Sequence, residues 1–252
     1  MLTTPNLTDT QIGEFKKNGF VVVSQAFNDN DMNRILTWTE ELQNMPEESG
    51  KYWVFHEKSR LNPDRELINR IEYISPFHHG FAELSQTLKN PVSQLLGEEA
   101  VLFKEKINFK MPGGDGFKPH QDSQAGWQTY ADFFISAMVC IDEATVANGC
   151  LQLVAGHQKR GLYREWEPLT DADMAGMEFV NYPTRPGDIV LFDCYAPHAS
   201  EPNLTDTIRR LYFATYNRLS EGDHMVQYYA DKHKTYPPDI DRIAGTDYVF
   251  RV

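Results

Sequence analysis

Two hydrophobic periods divide the chain, one typical of helices in its N-terminal part and one typical of strands further on. Apolar side chains recur at helical spacing over residues 29–44, which predicts an amphipathic helix. Residues 8–17 predict an earlier helix, with a capping residue at its start and Asn18-Gly19 ending it. Residues 20–23 then predict a strand, and residues 81–96 a further helix.

From Val101 onward, short apolar runs are separated by Gly, Pro and Asn turns, with a polar connection at residues 166–176. Helices followed by strands favour a mainly β fold with supporting helices, built on a double-stranded β-helix, the jelly-roll or cupin-like core. A barrel of this size commonly forms one domain, so we expect a single domain over residues 1–252. Its expected parts are N-terminal helices at about 8–100, a β-helix core at about 101–220 and a C-terminal segment at 221–252.

Three residues of the strand-rich region have the chemistry of a metal site. His120 and Asp122 are one residue apart, and on an extended strand this spacing places both side chains on one face. His198 ends a later segment, residues 185–198, which predicts a turn and a strand. Two imidazoles and one carboxylate match the facial triad of non-haem Fe(II) oxygenases. Such an ion keeps open positions for a bidentate 2-oxo acid and for O2.

A 2-oxo acid also needs a partner for its distal carboxylate, and a guanidinium suits that role. Two adjacent candidates, Arg209 and Arg210, follow His198 on a predicted strand. Because side chains alternate along a strand, only one of them is expected to face the interior.

In order, these motifs resemble the phytanoyl-CoA dioxygenase family of Fe(II)/2-oxoglutarate oxygenases. The resemblance covers residues from about 100 to 220, including the segment 142–157 between the motifs. It implies that His120, Asp122 and His198 bind iron and form the catalytic centre. It also implies that the arginine eleven residues after the distal histidine, Arg209, binds the C5 carboxylate of 2-oxoglutarate. The chain departs from the family pattern at Ala199, where glycine is common, and at residues 154–157, but neither departure affects a ligand.

The strand before the iron motif carries a polar face formed by Lys104, Lys106, Asn108 and Lys110. This face either lines the pocket or is a solvated outer face of the sheet. If it points inward, Asn108 is expected to contact 2-oxoglutarate, and Lys106 is expected to bind substrate or cosubstrate. Two further candidates are Ser136, as a contact to 2-oxoglutarate, and Trp127, which either shapes the substrate pocket or packs in the core.

Composition narrows the remaining classes. The net charge of −12 and the pI near 5.1 argue against a nucleic-acid surface. Three cysteines without paired spacing imply no disulfide framework and favour a cytoplasmic location. Neither a signal peptide nor an apolar run of the roughly 20 residues that span a bilayer is apparent, so membrane insertion is disfavoured. The expected partner is a small molecule, and the oligomeric state is left open.

The substrate follows mainly from resemblance. The segments 103–114, 120–127 and 216–223 are similar to the branch of the family that acts on 2-aminoethylphosphonate. This similarity implies hydroxylation of the carbon next to phosphorus, with lysines meeting the phosphonate and an acidic or aromatic group meeting the ammonium. The alternatives are another small amino acid, an ectoine-like compound or a natural-product intermediate. A non-catalytic 2-oxoglutarate or metal-binding protein and a zinc hydrolase are the alternatives from other classes.

Overall fold

Helices lie against one face of a large antiparallel sheet, and a smaller sheet faces part of its other side. The computed structural model describes residues 1–249. Within them the helices are α1 (Asp9–Asn18), α2 (Asp29–Asn44), α3 (His79–Leu96) and α4 (Met225–Thr235). The strands are β1 (Phe20–Val23), β2 (Trp53–Lys58), β3 (Glu66–Glu72), β4 (Ala100–Lys110), β5 (Phe117–His120), β6 (Ile135–Cys140), β7 (Leu151–Leu153), β8 (Val180–Tyr182), β9 (Ile189–Asp193), β10 (His198–Ser200) and β11 (Arg209–Arg218).

The large sheet has the order β1-β9-β6-β11-β4-β3-β2, and the small sheet has the order β5-β10-β7-β8. All of these pairings are antiparallel. The predicted mainly β fold with supporting helices is therefore confirmed.

Helices α1, α2 and α3 form where capping and periodicity predict them, whereas α4 in the C-terminal segment is not predicted. Thr8 caps α1 through a reciprocal capping box with Gln11, and Gly19 ends the helix in the left-handed conformation that glycine adopts readily. Helix α2 has the predicted bounds, while α3 begins two residues before Phe81. No helix of the described part is both long enough and apolar enough to cross a membrane.

The N-terminal part is less purely helical than predicted. Strand β1 pairs with β9, and β2 and β3, which the pattern does not predict, extend the large sheet beside β4. Strand β3 does not show the alternation of apolar and polar residues that marks a strand, because two of its buried residues, Arg70 and Glu72, are charged.

Alternation along β11 separates the core from the interior of the barrel. Tyr212 and Ala214 point to the helical side and join the main core, which includes Leu84 and Leu88 of α3. Leu211 packs instead in the cluster between the two sheets. The polar residues of the site lie on the same face of the large sheet as Leu211, the face toward the small sheet.

Candidate active site

The three predicted metal ligands meet at the end of the small sheet. His120 ends β5 and is the register partner of His198, which begins β10. The sequence predicts Asp122 on the same strand as His120, and this is wrong in detail, because Asp122 opens a 3-10 helix after the strand has ended. The two ligands nevertheless point to the same side, as predicted, because Gln121 between them has an extended backbone. Its side-chain amide points the other way and donates to two backbone carbonyls.

The ligand atoms of His120, Asp122 and His198 all lie within 4.8 Å of one another. The two imidazole centroids are 4.2 Å apart, and Nε2 of His198 lies 3.9 Å from Oδ1 of Asp122. One ion can therefore be reached from all three side chains. Among the described residues, no other group of three potential ligands has this arrangement.

Hydrogen bonds fix which imidazole nitrogen is available. Nδ1 of His120 lies 2.7 Å, and Nδ1 of His198 3.0 Å, from the carbonyl oxygen two residues earlier in the chain. A carbonyl only accepts, so each Nδ1 donates its proton and each Nε2 keeps a lone pair for the ion. Burial lowers the pKa of both imidazoles, which makes them neutral, as metal ligands must be. Burial raises the pKa of Asp122, but nearby His198 and Lys104 outweigh this effect and lower it overall.

A cavity, here called the inner cavity, extends from this triad between the two sheets. Arg209 of β11 and Asn108 of β4 line it and are buried. Nε of Arg209 and Oδ1 of Asn108 have no hydrogen-bond partner among the described residues. Burial lowers the pKa of Arg209 to about 10, so the guanidinium remains charged at neutral pH. A buried cation and a buried amide in need of partners fit the carboxylate of a small dicarboxylate such as 2-oxoglutarate.

The neighbouring Arg210 faces the other way. Its Nε donates to Oδ2 of Asp142 at 2.7 Å, and a terminal nitrogen donates to Oδ1 at 2.9 Å. The guanidinium of Arg210 is therefore already paired with a carboxylate, and it lies outside the inner cavity. Alternation alone leaves the choice between the two arginines open, whereas the family resemblance implies Arg209, and Arg209 is the one that lines the cavity.

A second and larger space, here called the outer cavity, has a volume of about 470 Å³. It meets the inner cavity at the triad, where Lys104, Lys106 and Phe117 line both. Trp127 lies in the wall of the outer cavity and is 1% exposed, packed edge-on against Phe103 and Phe134. Both interpretations of this tryptophan therefore apply: it packs, and it shapes the pocket.

Three residues of the polar face of β4, Lys104, Lys106 and Asn108, line these cavities, and the fourth, Lys110, is buried, so the interpretation of this face as a solvated outer face is wrong. Nζ of Lys110 donates to Oγ of Ser200 at 2.8 Å and to the Glu201 carbonyl. Lys104 and Lys106 form no hydrogen bond or ion pair with the described residues, although Nζ of Lys104 lies 4.3 Å from the centre of the Trp127 ring. Burial lowers the pKa of Lys104, and it lowers that of Lys106 to about 7. Both lysines would regain a stable charge beside an anion.

The phytanoyl-CoA dioxygenase (PhyH) family model matches residues 15–211. The chain belongs to this family. A 2-aminoethylphosphonate dioxygenase from the uncultured bacterium HF130_AEPn_1 is 39% identical over 245 residues, which cover 96% of this chain and 93% of that protein. A methylphosphonate hydroxylase from Gimesia maris is 35% identical over 243 residues, covering 95% and 91% of the two chains.

Solved structures support the fold of this PhyH-family protein. The crystal structure of EctD from S. alaskensis with 2-oxoglutarate and 5-hydroxyectoine matches with a TM-score of 0.71 at 22% identity, covering 85% of this chain and 77% of that one. The carbocyclase SnoK from nogalamycin biosynthesis matches with a TM-score of 0.70 at 17% identity, covering 84% and 85%. The predicted jelly-roll core is confirmed.

Family membership and the complete His-Asp-His triad together confirm the predicted reaction class. The PhyH-family protein is a 2-oxoglutarate-dependent dioxygenase that uses Fe(II), 2-oxoglutarate and O2. The donor set fits this metal: two neutral imidazoles and a carboxylate, with cavity space on the open side.

Ser136 contacts the triad directly. Its Oγ donates to Oδ2 of Asp122 at 2.9 Å and lies 2.9 Å from Oγ1 of Thr215 on the neighbouring strand. If Ser136 gives its proton to the carboxylate, the hydroxyl of Thr215 donates to Ser136 in turn. The two hydroxyls fix the orientation of Asp122, a role in which sequence reasoning missed Thr215. The predicted contact of Ser136 with 2-oxoglutarate stays a prediction.

We expect Ser136→Ala to weaken Fe(II) binding by roughly tenfold to a hundredfold, because the ligating carboxylate loses the hydrogen bond that orients it. Anaerobic Fe(II) titration followed by turnover at saturating iron measures this effect. If the 2-oxoglutarate requirement rises instead while Fe(II) affinity is unchanged, Ser136 acts on the cosubstrate and not through Asp122.

The other histidines have local partners. His78 is buried, with Nε2 3.3 Å from a carboxylate oxygen of Glu41. Nδ1 of His157 lies 3.2 Å from the Tyr163 hydroxyl, consistent with a structural role.

Sequence reasoning missed the residues that the N-terminal strands and the C-terminal helix bring to the outer cavity. Glu72 of β3 and Lys232 of α4 both line it, and they form an ion pair of 2.5 Å. Tyr228 of α4 adds an aromatic wall. The pair Tyr228-Tyr229 in a polar segment was the available signal that this helix packs on the core, and both rings are buried.

Proposed function

We propose that this dioxygenase hydroxylates a small phosphonate at the carbon bonded to phosphorus, with 2-aminoethylphosphonate as the first candidate. The observation that carries the proposal is the pair Lys104 and Lys106, two inward lysines beside the triad without a carboxylate partner. A phosphonate dianion would supply the missing counter-charge through charge-assisted hydrogen bonds. Two relatives whose names refer to phosphonates, each matched over most of its length, support this choice.

In this proposal each region of the site has one task. His120, Asp122 and His198 hold Fe(II), which together with 2-oxoglutarate and O2 supplies the oxidising chemistry. Arg209 and Asn108 bind 2-oxoglutarate in the inner cavity. Lys104 and Lys106 hold the phosphonate, so the adjacent carbon lies near the metal, while Trp127 excludes water from the outer cavity.

We also propose that residues 1–252 form one catalytic domain in the cytoplasm. Pairing of β1 with β9 and insertion of Lys232 from α4 into the outer cavity support the first point. Three buried cysteines, all free, support a reducing compartment. The acidic net charge of −12 supports a small molecule and not a nucleic acid as the partner.

The substrate proposal is tested with a panel of 2-aminoethylphosphonate, methylphosphonate, ethanolamine and ectoine under Fe(II), ascorbate and 2-oxoglutarate. We expect 2-aminoethylphosphonate to stimulate succinate formation and to gain one oxygen atom, and we expect ethanolamine, which lacks the anion, to do neither. Turnover of ectoine or ethanolamine without turnover of any phosphonate would reject the substrate and leave the reaction class intact.

Lysine variants locate the effect in this panel. Lys106→Met should raise the Michaelis constant for the phosphonate about tenfold or more, since a charge-assisted hydrogen bond is lost, with a much smaller effect on that for 2-oxoglutarate. Lys110→Met removes a buried lysine from the same face of β4, which lines neither cavity and whose ammonium already has protein partners. It should lower thermal stability and leave the Michaelis constant for the phosphonate nearly unchanged.

A further inference from the structure

Glu72 is a buried carboxylate in the wall of the outer cavity. It is 3% exposed and ends β3, directly opposite Lys106 of β4 in the antiparallel register. Opposed residues of such a pair project from the same face of the sheet, with Cβ atoms about 5 Å apart. Glu72 and Lys106 are therefore an adjacent acid and base on the face that lines the cavity.

The carboxylate of Glu72 retains capacity for another donor. Its Oε1 accepts from Nε of Arg70 at 2.6 Å, and its Oε2 accepts from Nζ of Lys232 at 2.5 Å. Each carboxylate oxygen has a second lone pair for a further hydrogen bond. Burial raises the pKa of Glu72, but the nearby cations, Lys232 foremost, lower it overall, so the carboxylate is ionised. Lys106, although opposite it in the register, forms no ion pair with it. The carboxylate of Glu72, whose cation partners are Arg70 and Lys232, therefore faces the same cavity as the ammonium groups of Lys104 and Lys106, which have no carboxylate partner among the described residues.

The other carboxylates that line the outer cavity are less suited to bind a ligand. Asp122 belongs to the triad. Asp231 already accepts hydrogen bonds from Tyr130, Gln227 and Lys234, and its side chain is 38% exposed. Asp247 is exposed. Glu72 is the buried carboxylate of this cavity, in the described part of the chain, that is not a triad member.

We propose that Glu72 binds the ammonium group of an aminoalkylphosphonate whose phosphonate lies on Lys104 and Lys106. This inference rests on the proposed function and deepens it, because it makes Glu72 the residue that selects an aminoalkylphosphonate over an alkylphosphonate. The neighbouring positions of Glu72 and Lys106 suit a zwitterion whose two charges are only a few bonds apart. Without the ammonium, the binding of an alkyl group beside this charged carboxylate is unfavourable.

The test compares 2-aminoethylphosphonate with propylphosphonate, which has a methyl group in place of the ammonium. For the wild type, kcat/KM for coupled succinate and hydroxylated product should favour 2-aminoethylphosphonate by about tenfold or more, the usual effect of one hydrogen bond to a charged group. Glu72→Gln should remove most of this preference, chiefly through loss of activity on 2-aminoethylphosphonate. Glu72→Asp keeps the charge at a shorter reach and should reduce the preference by a smaller factor.

Glu105→Gln is the matched control. Glu105 is also buried, but it lies on the opposite face of β4, where its carboxylate accepts from the Tyr212 hydroxyl at 2.6 Å. This variant should keep the preference, whatever its stability. Because both substrates are compared in one preparation, a partly unfolded sample lowers both rates and leaves their ratio unchanged.

The outcomes separate the two proposals. A wild type that hydroxylates both phosphonates equally well, or Glu72 variants that lose both activities by the same factor, would overturn the role of Glu72 and leave phosphonate hydroxylation standing. If neither phosphonate is hydroxylated, the proposed function fails and this inference fails with it.

Discussion

Alanine at His120, Asp122 or His198 should abolish coupled formation of succinate and product. Each substitution leaves two protein ligands, which hold the ion weakly and in the wrong geometry. Anaerobic titration with Fe(II) and 2-oxoglutarate supplies a readout independent of turnover. The wild type should develop a visible metal-to-ligand charge-transfer band, and each variant should lose it.

His157→Ala is the control for these variants, because His157 contacts Tyr163 and lies outside both cavities. It should keep the band and the turnover. A triad variant with near-normal coupled turnover would remove that residue from the set of ligands.

The second large effect is expected at Arg209. Replacement by alanine removes a buried guanidinium from the inner cavity, and the loss of a charge-assisted bidentate contact costs more than about 1.5 kcal/mol, over tenfold in affinity. We expect the 2-oxoglutarate concentration for half-maximal activity to rise by at least this factor. Binding at saturating Fe(II), followed by the charge-transfer band, checks the same quantity directly.

Arg210→Ala is the matched comparison one residue along the strand. It breaks the bidentate pair with Asp142 and should lower thermal stability, with little change in the 2-oxoglutarate requirement. The reverse pattern, in which Arg210 and not Arg209 sets that requirement, would contradict the register of β11.

Most of the correct predictions from the sequence rest on patterns within a few residues of one another. The bounds of α2 followed from apolar spacing and the start of α1 from its capping residue, because both depend on neighbours within a few positions. His120 and Asp122 could be paired for the same reason, since one extended residue between them is enough to place them together. Alternation also showed that only one of Arg209 and Arg210 could face inward, without deciding which.

Sequence reasoning failed where the partner of a residue lies far along the chain. Nothing local in β3 marks it as a strand, because Arg70 and Glu72 are charged residues that the tertiary structure buries beside Lys232, which follows 160 positions after Glu72. The hydrogen bond from Ser136 to Asp122 likewise depends on how β6 packs beside the 3-10 turn.

The sequence by itself predicted the metal ligands, the reaction class and the main helices. The helices and the pairing of His120 with Asp122 depend on periodicity and short spacing, whereas His198 and the reaction class follow from the order of the motifs and their resemblance to the family. Only the tertiary structure showed that Arg210 pairs with Asp142, and that Lys110 has hydrogen-bond partners in the described part of the chain while Lys104 and Lys106 do not. It also brought Glu72 and Lys232 into the outer cavity. The physical reason is that the pKa and the hydrogen-bond partners of a buried charged group depend on the groups around it, and strands and helices distant in the sequence supply those groups.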